Sequence, residues 1–355
     1  MMRVTRITAE RLTLTLEEPF VVSLGAIPTV DTVLVKIETD VGLTGYGEGC
    51  ATGFVTGETA DTVLGAIKAF EPVVVGQSPF AIDQIHRSMD MILIRNGSAK
   101  AAIDIALHDL MAKSVSLPLY RYLGGTRNTV ETDQTIGLGE PALMAAKAAK
   151  LVARGYRELK IKAGADREAD KEAIRLIREA APTALLKVDA NQGWTAAEAP
   201  AILAYYAEHG VIAVEQPLPF WDIDGTAYVR SRSPIPIMVD ESCFTPQDAV
   251  TIIRRQAADI INIKLMKCGG IYRALQIDAI AEAAGLPTML GCMLETRLSI
   301  AAGAHLVAAR PNVIYADLDS FNDFDDSGLI KSAFDFEIPF IRLSDAPGLG
   351  VDVDY

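Results

Sequence analysis

Hydrophobic and polar residues alternate differently in the first part of the chain than in the rest. In residues 3–16 and 32–39, apolar and polar residues alternate with period two. The segment TDVGLTGYGEG that follows suggests glycine turns, so an antiparallel sheet is predicted. Apolar residues with helical spacing follow near residues 57–75, 80–92 and 98–114. These patterns predict an α+β domain over residues 1–125.

From residue 130 onwards, short β-rich segments alternate with alanine-rich amphipathic helices. The predicted strands cover residues 132–137, 158–163, 184–190, 212–217, 236–242, 261–267, 287–293 and 312–319. Strand–helix units at a spacing of about 25 residues favour a closed barrel over a doubly wound sheet, and no GxGxxG motif follows any of these strands. We therefore predict a barrel over residues 126–325, with the strand-like tail, residues 326–355, returning to the first domain.

Composition and charge narrow the classes of function. The chain has 355 residues, of which 50% are hydrophobic and 22% charged, as in an ordinary globular protein. A formal net charge of −13 and the lack of Lys/Arg runs argue against a nucleic-acid partner. No apolar run reaches the ~18 residues that a membrane span needs, and the scattered cysteines form no CxxC pair. We expect a cytoplasmic protein with a small-molecule substrate and no membrane partner.

Three acidic residues, Asp189, Glu215 and Asp240, end three successive predicted strands. In a barrel the carboxyl ends of the strands meet at one mouth, where active sites form. Carboxylate oxygens are the ligands that Mg²⁺ prefers, so we predict that these acids hold one Mg²⁺ per subunit, with Mn²⁺ as a substitute. Any one of them could equally be a helix N-cap or a surface charge, but the repetition favours a metal site.

Lysines are predicted to face one another across the same mouth. Lys160 and Lys162 are two residues apart on the second strand and therefore share a face, while Lys264 is on the sixth strand, together with Lys267. Lys162 and Lys264 would then stand on opposite sides of a substrate carbon, where one can remove a proton and the other return it. The alternative is that the lysines only balance the acids, which suits Lys160 and Lys267 better than the facing pair.

In these motifs the chain resembles the enolase superfamily, in its muconate-lactonizing subgroup, over essentially its whole length. The resemblance rests on the KxK motif Lys160-Ile161-Lys162, the three acids and Lys264. It implies an α/β fold: a modified TIM barrel (β/α)7β, capped by an α+β domain built from the N-terminal segment and the C-terminal tail. It also implies an isomerase that removes the proton α to a carboxylate, with Lys162 and Lys264 as catalytic residues and Mg²⁺ stabilising an enediolate.

The eighth strand indicates a narrower group within that superfamily. Asp317 and Asp319 form a DxD pattern similar to the one that dipeptide epimerases use to bind a free ammonium group, and two carboxylates there favour a cationic substrate. The resemblance implies further substrate contacts at Thr135, Lys160, Cys292, Met293 and Leu294. The expected activity is epimerisation of a dipeptide, by an enzyme that forms a homo-oligomer.

The capping loop departs from the pattern of the enzymes that act on L-Ala-D/L-Glu, which have an arginine where this chain has Leu24. Neither this loop nor residues 49–58 contain Lys or Arg, although an acidic side chain would need a positive partner. We therefore expect a second residue that is not acidic; the alternative is that Arg297 or another basic group enters the pocket from the barrel side. Other reactions on this scaffold are N-succinylamino acid racemisation, o-succinylbenzoate synthesis and cycloisomerisation. A barrel that only binds its ligand is the non-enzymatic alternative.

Overall fold

The computed structural model describes residues 2–22, 25–326 and 328–354, so Leu24 lies outside the described residues. The first part is a three-stranded antiparallel sheet in the order β1-β2-β3, followed by helices, as the periodicities predicted. The strands are β1 (Val4–Val22), β2 (Gly25–Thr39) and β3 (Thr44–Cys50), and the helices are α1 (Ala60–Val74), α2 (Ile82–Ile92), α3 (Gly97–Ser114) and α4 (Leu119–Tyr122). Alternate residues of β2 pack in one core with Phe70 of α1 and Leu107 of α3.

Three glycines expected in turns, Gly45, Gly47 and Gly49, lie instead inside β3. They alternate, so they share one face of the strand, and α3 packs directly on that face. A side-chain carbon on Gly47 would lie 2.0 Å from the carbonyl oxygen of Ala102, and one on Gly45 would lie 2.2 Å from that of Ala106. The sequence prediction was therefore wrong here: these glycines permit close helix–sheet packing and only Gly42, with φ +78, serves the turn.

The second part is a parallel barrel whose sheet order is β12-β11-β10-β9-β8-β7-β6-β5. Its strands, with the preceding short strand β4, are β4 (Thr129–Glu131), β5 (Gln134–Ile136), β6 (Glu158–Lys162), β7 (Leu185–Asp189), β8 (Val211–Glu215), β9 (Ile237–Val239), β10 (Ile260–Lys264), β11 (Thr288–Gly291) and β12 (Val313–Asp317). The Asp133 amide donates to the Ala316 carbonyl at 3.2 Å, which brings the first and last strands together. All the predicted barrel strands are confirmed.

Helices connect consecutive barrel strands, and a short 3₁₀ turn, Ser320–Asn322, comes directly after β12. The connecting helices are α5 (Pro141–Arg154), α6 (Arg167–Ala180), α7 (Ala199–Glu208), α8 (Ile223–Arg230), α9 (Pro246–Arg255), α10 (Leu265–Cys268), α11 (Ile271–Ala283) and α12 (Arg297–Ala309). Since α10 and α11 share one connection, the barrel is the expected (β/α)7β form. Within the described ranges, no helix combines the length and the apolar character required to cross a bilayer.

The C-terminal tail contacts both parts of the molecule. It contains β13 (Ile330–Ser332), β14 (Phe334–Glu337), β15 (Phe340–Leu343) and β16 (Asp352–Val353). Strand β15 pairs with β4 beside the barrel. Further along, the Leu349 amide donates to Asp109 Oδ1 of α3 at 2.8 Å, and the Leu119 amide donates to the Gly348 carbonyl at 2.7 Å. The tail thus links the barrel to the helices of the first part.

Buried carboxylates of the first part cap two helices of the barrel. Asp104 of α3 accepts the amide of Ile271 at 2.5 Å, at the N-terminus of α11, and also contacts His86 Nε2 at 2.8 Å. Glu48 of β3 accepts the amides of Thr296 and Ser299 at 3.0 and 3.2 Å, at the N-terminus of α12. The first amides of a helix have no partner within the helix and are electropositive, so both contacts are stabilising.

We expect an Asp104→Ala variant to be about 3–5 kcal/mol less stable than the wild type, because it leaves buried imidazoles and helix amides without their acceptor. Asp104 is fully buried, and although burial opposes its charge, His108 and His86 hold its pKa below the usual value. Urea unfolding followed by circular dichroism measures the difference. Glu172→Ala is the control, because solvent screens the exposed Glu172–Arg175 ion pair and its loss should change the stability little. Equal losses in the two variants would contradict this prediction.

Candidate active site

The acids and lysines predicted to form the site lie together at the carboxyl ends of the barrel strands. Strand register places Lys162 beside Asp189 and Asp189 beside Glu215. Asp240 directly follows β9, and Lys264 ends β10, which is four strands from β6 in the sheet order. Strands four apart in an eight-stranded barrel lie on opposite walls. The structure therefore brings the two predicted catalytic lysines to opposing sides of one mouth.

Lys160 sits at the centre of the acidic groups. Its Nζ lies 2.7 Å from Asp317 Oδ2, 2.9 Å from Glu215 Oε2 and 3.1 Å from Asp189 Oδ2. Burial disfavours the ammonium, but these carboxylates outweigh that effect and hold the pKa of Lys160 well above its usual value. The same ammonium thus bridges two of the predicted metal acids, which marks the space between them as favourable for positive charge.

Each of the two facing lysines contacts an acid at the end of the neighbouring strand. Lys162 Nζ donates to Asp189 Oδ2 at 2.8 Å and to Asn191 Oδ1 at 3.0 Å. Lys264 Nζ lies 2.9 Å from Asp240 Oδ2. Burial of Lys264 favours its neutral form, but Asp240 more than compensates and raises the pKa of this lysine. Both side chains are buried and both line the cavity between the two walls.

The chemistry of Asp189, Glu215 and Asp240 fits a hard divalent cation. All three are buried, and amides orient two of their carboxylates: Asn262 Nδ2 donates to Glu215 Oε1 at 2.8 Å, and the Asn191 backbone amide donates to Asp189 Oδ1 at 3.0 Å. Burial and the charge of Asp189 raise the pKa of Glu215 to about 7. Burial opposes the charge of Asp189 and Asp240, but the lysines lower the pKa of both; that of Glu215 stays raised, so a further cation would be stabilised between these acids.

Asp317 and Asp319 form a second acidic group together with Asp133, and one carboxylate oxygen from each of the three lies within 4.8 Å of the other two. The Thr135 amide donates to Asp319 Oδ2 at 2.6 Å, while Lys187 Nζ lies 2.7 Å from Asp133 Oδ2. Burial and the charge of Asp317 raise the pKa of Asp319 to about 6. This acidic group favours a positively charged ligand, and sequence reasoning missed Asp133 because it precedes a strand instead of ending one.

The cavity between Lys162 and Lys264, which we name the catalytic cavity, is also lined by Asn191 and Glu241. These two residues were not predicted. Asn191, with a left-handed φ of 41°, donates from Nδ2 to Glu241 Oε1 at 3.4 Å. Glu241 Oε2 is buried and has no hydrogen-bond partner among the described residues, and burial raises the pKa of this carboxyl to about 7. Their proximity to Asp189 and Asp240 in the sequence was the signal that could have identified them.

The segment after β11 forms another wall of the cavity. Cys292 Sγ lies 4.0 Å from Asp319 Oδ1, the Met293 amide donates to Glu295 Oε1 at 2.8 Å, and Cys50 Sγ donates to the Leu294 carbonyl at 3.2 Å. This wall is therefore held from both the barrel and the first part of the chain. Thr135 lies beside the acidic group, with its hydroxyl 3.4 Å from Asp317 Oδ1.

Two basic residues lie elsewhere than the sequence suggested. Arg297 forms an ion pair with Asp326, its guanidinium lies 5.5 Å from the ring centroid of Phe321, and it does not line the catalytic cavity. Lys267 belongs to α10 and not to a strand, and its Nζ donates to the Asp240 carbonyl. The only cationic side chains among the described residues that line this cavity are therefore Lys160, Lys162 and Lys264.

The α+β cap, the (β/α)7β barrel and the opposed lysines above buried acids define a capped barrel enzyme. Residues 3–124 match the family model of the mandelate racemase / muconate lactonizing enzyme N-terminal domain, and residues 143–355 match the enolase C-terminal domain-like model. The chain belongs to the mandelate racemase / muconate lactonizing enzyme family of the enolase superfamily.

Similar proteins include epimerases, one of them of known structure. The hydrophobic dipeptide epimerase of Enterococcus faecalis is 43% identical over 352 residues, with 99% of each chain covered. The L-Ala-D/L-Glu epimerase of Clostridium acetobutylicum is 40% identical over 345 residues, with 96% of each chain covered. The crystal structure of dipeptide epimerase from Enterococcus faecalis V583, complexed with Mg and L-Leu-L-Tyr, matches with a TM-score of 0.96 and 43% identity over 99% of each chain.

Proposed function

We propose that this enzyme epimerises dipeptides by moving the proton α to the carboxylate of the second residue, and that Mg²⁺ is its cofactor. The observation that carries this proposal is the opposed pair Lys162 and Lys264, with buried acids between their strands on both sides. The relatives named dipeptide epimerases, one of them complexed with Mg and a dipeptide, support it.

The residues at the barrel mouth have different roles in the proposed reaction. In one direction Lys162 accepts the α proton and Lys264 donates a proton to the opposite face of the planar enediolate, and in the other direction the roles exchange. The ammonium of Lys160 orients the substrate carboxylate. Asp189, Glu215 and Asp240 would hold Mg²⁺, which when bound supplies positive charge to the carboxylate as the proton leaves.

The acidic group favours a dipeptide over an N-succinylamino acid. Asp317 and Asp319 would accept the free ammonium of the first residue, whereas a succinyl carboxylate would be repelled there. Cys292, Met293 and Leu294 would border the peptide, and Thr135 would complete the subsite. No lysine or arginine beyond the three lysines lines the catalytic cavity among the described residues, which supports a second residue that is not acidic.

Incorporation of solvent deuterium tests the proposal. In D₂O with Mg²⁺, L,L-dipeptides should gain deuterium at the α carbon of the second residue while the L,D epimer accumulates, and NMR detects both changes. N-succinylamino acids, tested in parallel, should react far more slowly. Turnover of the succinyl compounds without turnover of dipeptides would favour racemisation of N-succinylamino acids instead. The expected homo-oligomer stays a prediction that light scattering can check.

The pH profile should reveal the ammonium subsite. The pKa of Asp319 is raised to about 6, so its carboxyl is protonated below this pH and charged above it. Only the charged form accepts an ammonium well, so kcat/KM for a dipeptide should fall about tenfold per pH unit below 6. Above about pH 8 the substrate amine itself loses its proton and the rate falls again. Rates at constant ionic strength give the profile.

The variant Asp319→Asn separates this carboxyl from the others that titrate nearby. Its kcat/KM should be lower at every pH and should lack the decline centred on pH 6. If that decline persists unchanged in Asp319→Asn, it belongs to another group, and the assigned role of Asp319 is wrong.

A further inference from the structure

A second, larger cavity adjoins the catalytic one. The catalytic cavity has a volume of about 80 Å³, well below the ~300–1,000 Å³ of sites that enclose a small organic ligand, whereas the neighbouring cavity has about 720 Å³. The two share the lining residues Phe54, Val55, Asn191 and Glu241. A ligand that reaches the facing lysines can therefore extend directly into the larger space, which we name the side-chain cavity.

The barrel order determines which part of a dipeptide meets the side-chain cavity. Lys162 and Lys264 are on β6 and β10, and the ammonium-binding acids lie at the carboxyl end of β12, so the wall opposite these acids is β8. The α carbon between the lysines carries a carboxylate, a peptide nitrogen and a side chain. With the nitrogen directed to β12 and the carboxylate to the ends of β7–β9, the side chain is left to point outwards on the β8 side, beneath the cap.

The loops on that side are rich in apolar side chains. The cap contributes Phe54 and Val55, the loop after β8 contributes Phe220 together with Ile223 of α8, and Phe244 follows β9. Phe54 and Phe220 are about half exposed, at 47% and 49%, and they line the same cavity instead of lying singly on the surface. Both rings offer faces on which an aromatic side chain can pack.

Charge in the side-chain cavity does not favour an acidic substrate. Its charged lining residues are Arg95, Glu241 and Asp248. Asp248 is already used, because its Oδ2 accepts the Phe244 and Thr245 amides at 3.0 and 2.9 Å. Arg95 is exposed, and Glu241, with one buried oxygen that lacks a hydrogen-bond partner among the described residues, lines both cavities. The lining therefore carries two carboxylates and one guanidinium, a balance that disfavours an anionic side chain.

We propose that the side-chain cavity binds the side chain of the epimerised residue and selects large apolar, above all aromatic, side chains, with Phe54 and Phe220 as the specificity-determining residues. This inference rests on the proposed dipeptide epimerase activity and deepens it. It assigns the choice of substrate to contacts between the cap and the loop after β8, and not to the segment around residue 24 alone.

Three dipeptides that differ only in the second residue test the proposal on the full-length enzyme with Mg²⁺. The wild type should have a kcat/KM for L-Ala-L-Phe at least tenfold above those for L-Ala-L-Ala and L-Ala-L-Glu. In Phe220→Ala the loss for L-Ala-L-Phe should exceed the loss for L-Ala-L-Ala at least tenfold, chiefly through KM. Trp221→Ala is the matched control, because Trp221 is adjacent and 71% exposed but does not line the cavity.

A charge introduced at the same position gives a second readout. Phe220→Arg should increase the preference for L-Ala-L-Glu over L-Ala-L-Phe at least tenfold, while Trp221→Arg should not. The inference is overturned if Phe220→Ala and Trp221→Ala change all three substrates alike, or if L-Ala-L-Lys is preferred to L-Ala-L-Phe. If dipeptides turn over but substitutions of Phe220 leave the substrate selectivity unchanged, only the proposed role of the side-chain cavity is refuted. No turnover of any dipeptide by the wild type refutes the proposed function as well.

Discussion

Lys162→Ala and Lys264→Ala variants are each expected to epimerise dipeptides about 10²–10⁴-fold more slowly than the wild type. Because the two lysines are on opposite walls, each variant keeps one base and should still exchange the α hydrogen of one epimer with solvent. The two variants should retain exchange for opposite epimers. NMR in D₂O, started from each pure epimer in turn, measures epimerisation and exchange separately.

The exposed Lys150 of α5 provides the control, and Lys150→Ala should match the wild type in both measurements. Circular dichroism should show the wild-type fold for all three variants. If both active-site variants lose exchange for the same epimer, the two-base arrangement is wrong. If both remain fully active, proton transfer at these lysines is wrong altogether.

Removal of divalent metal should abolish activity, and Mg²⁺ or Mn²⁺ should restore it, because three buried carboxylates lie together at the mouth and the pKa of one of them, Glu215, stays raised despite the lysines. Asp240→Asn should weaken Mg²⁺ binding at least about a hundredfold, since one of three hard ligands is lost. Isothermal titration calorimetry on the chelator-treated enzyme measures the affinity without any turnover.

Asp319→Asn is the informative control for the metal, because it removes a carboxylate from the other acidic group. It should leave the Mg²⁺ affinity nearly unchanged while it weakens dipeptide binding. The reverse pattern, with Mg²⁺ binding lost in Asp319→Asn and kept in Asp240→Asn, would assign the ion to the group of Asp133, Asp317 and Asp319 and contradict the prediction.

The barrel could be predicted because each of its strand–helix units can be recognised within a short stretch of the sequence. Each strand–helix unit repeats the same hydrophobic periodicity at a similar spacing, and the reactive side chains follow from the single rule that active sites form at the carboxyl ends of the strands. Asp189, Glu215 and Lys264 satisfy that rule in sequence alone. Glycines in β3 did not follow a local rule, because their role depends on the position of α3, which only the packed structure supplies.

Other features of the site depend on contacts between distant segments. Asp133 lies close to Asp317 and Asp319 only because the barrel closes. Thr135, two residues after Asp133, is 184 positions away in the sequence from its partner Asp319. The side-chain cavity combines a loop of the cap with the loops after β8 and β9, and no spacing in the sequence relates Phe54 to Phe220. Chemistry carried by one strand end was therefore predictable, whereas recognition shared between cap and barrel was not.

Glu48 and Asp104, which cap α12 and α11 from the other part of the chain, have a consequence for the evolution and engineering of this scaffold. A cap taken from a relative would bring a different substrate loop, but it would also remove the acceptors of these helix amides unless it carried carboxylates at the same two places. Cap and barrel therefore cannot be exchanged as independent modules. New specificities are more readily obtained by changing the loops around the mouth while this pair of acids is inherited intact.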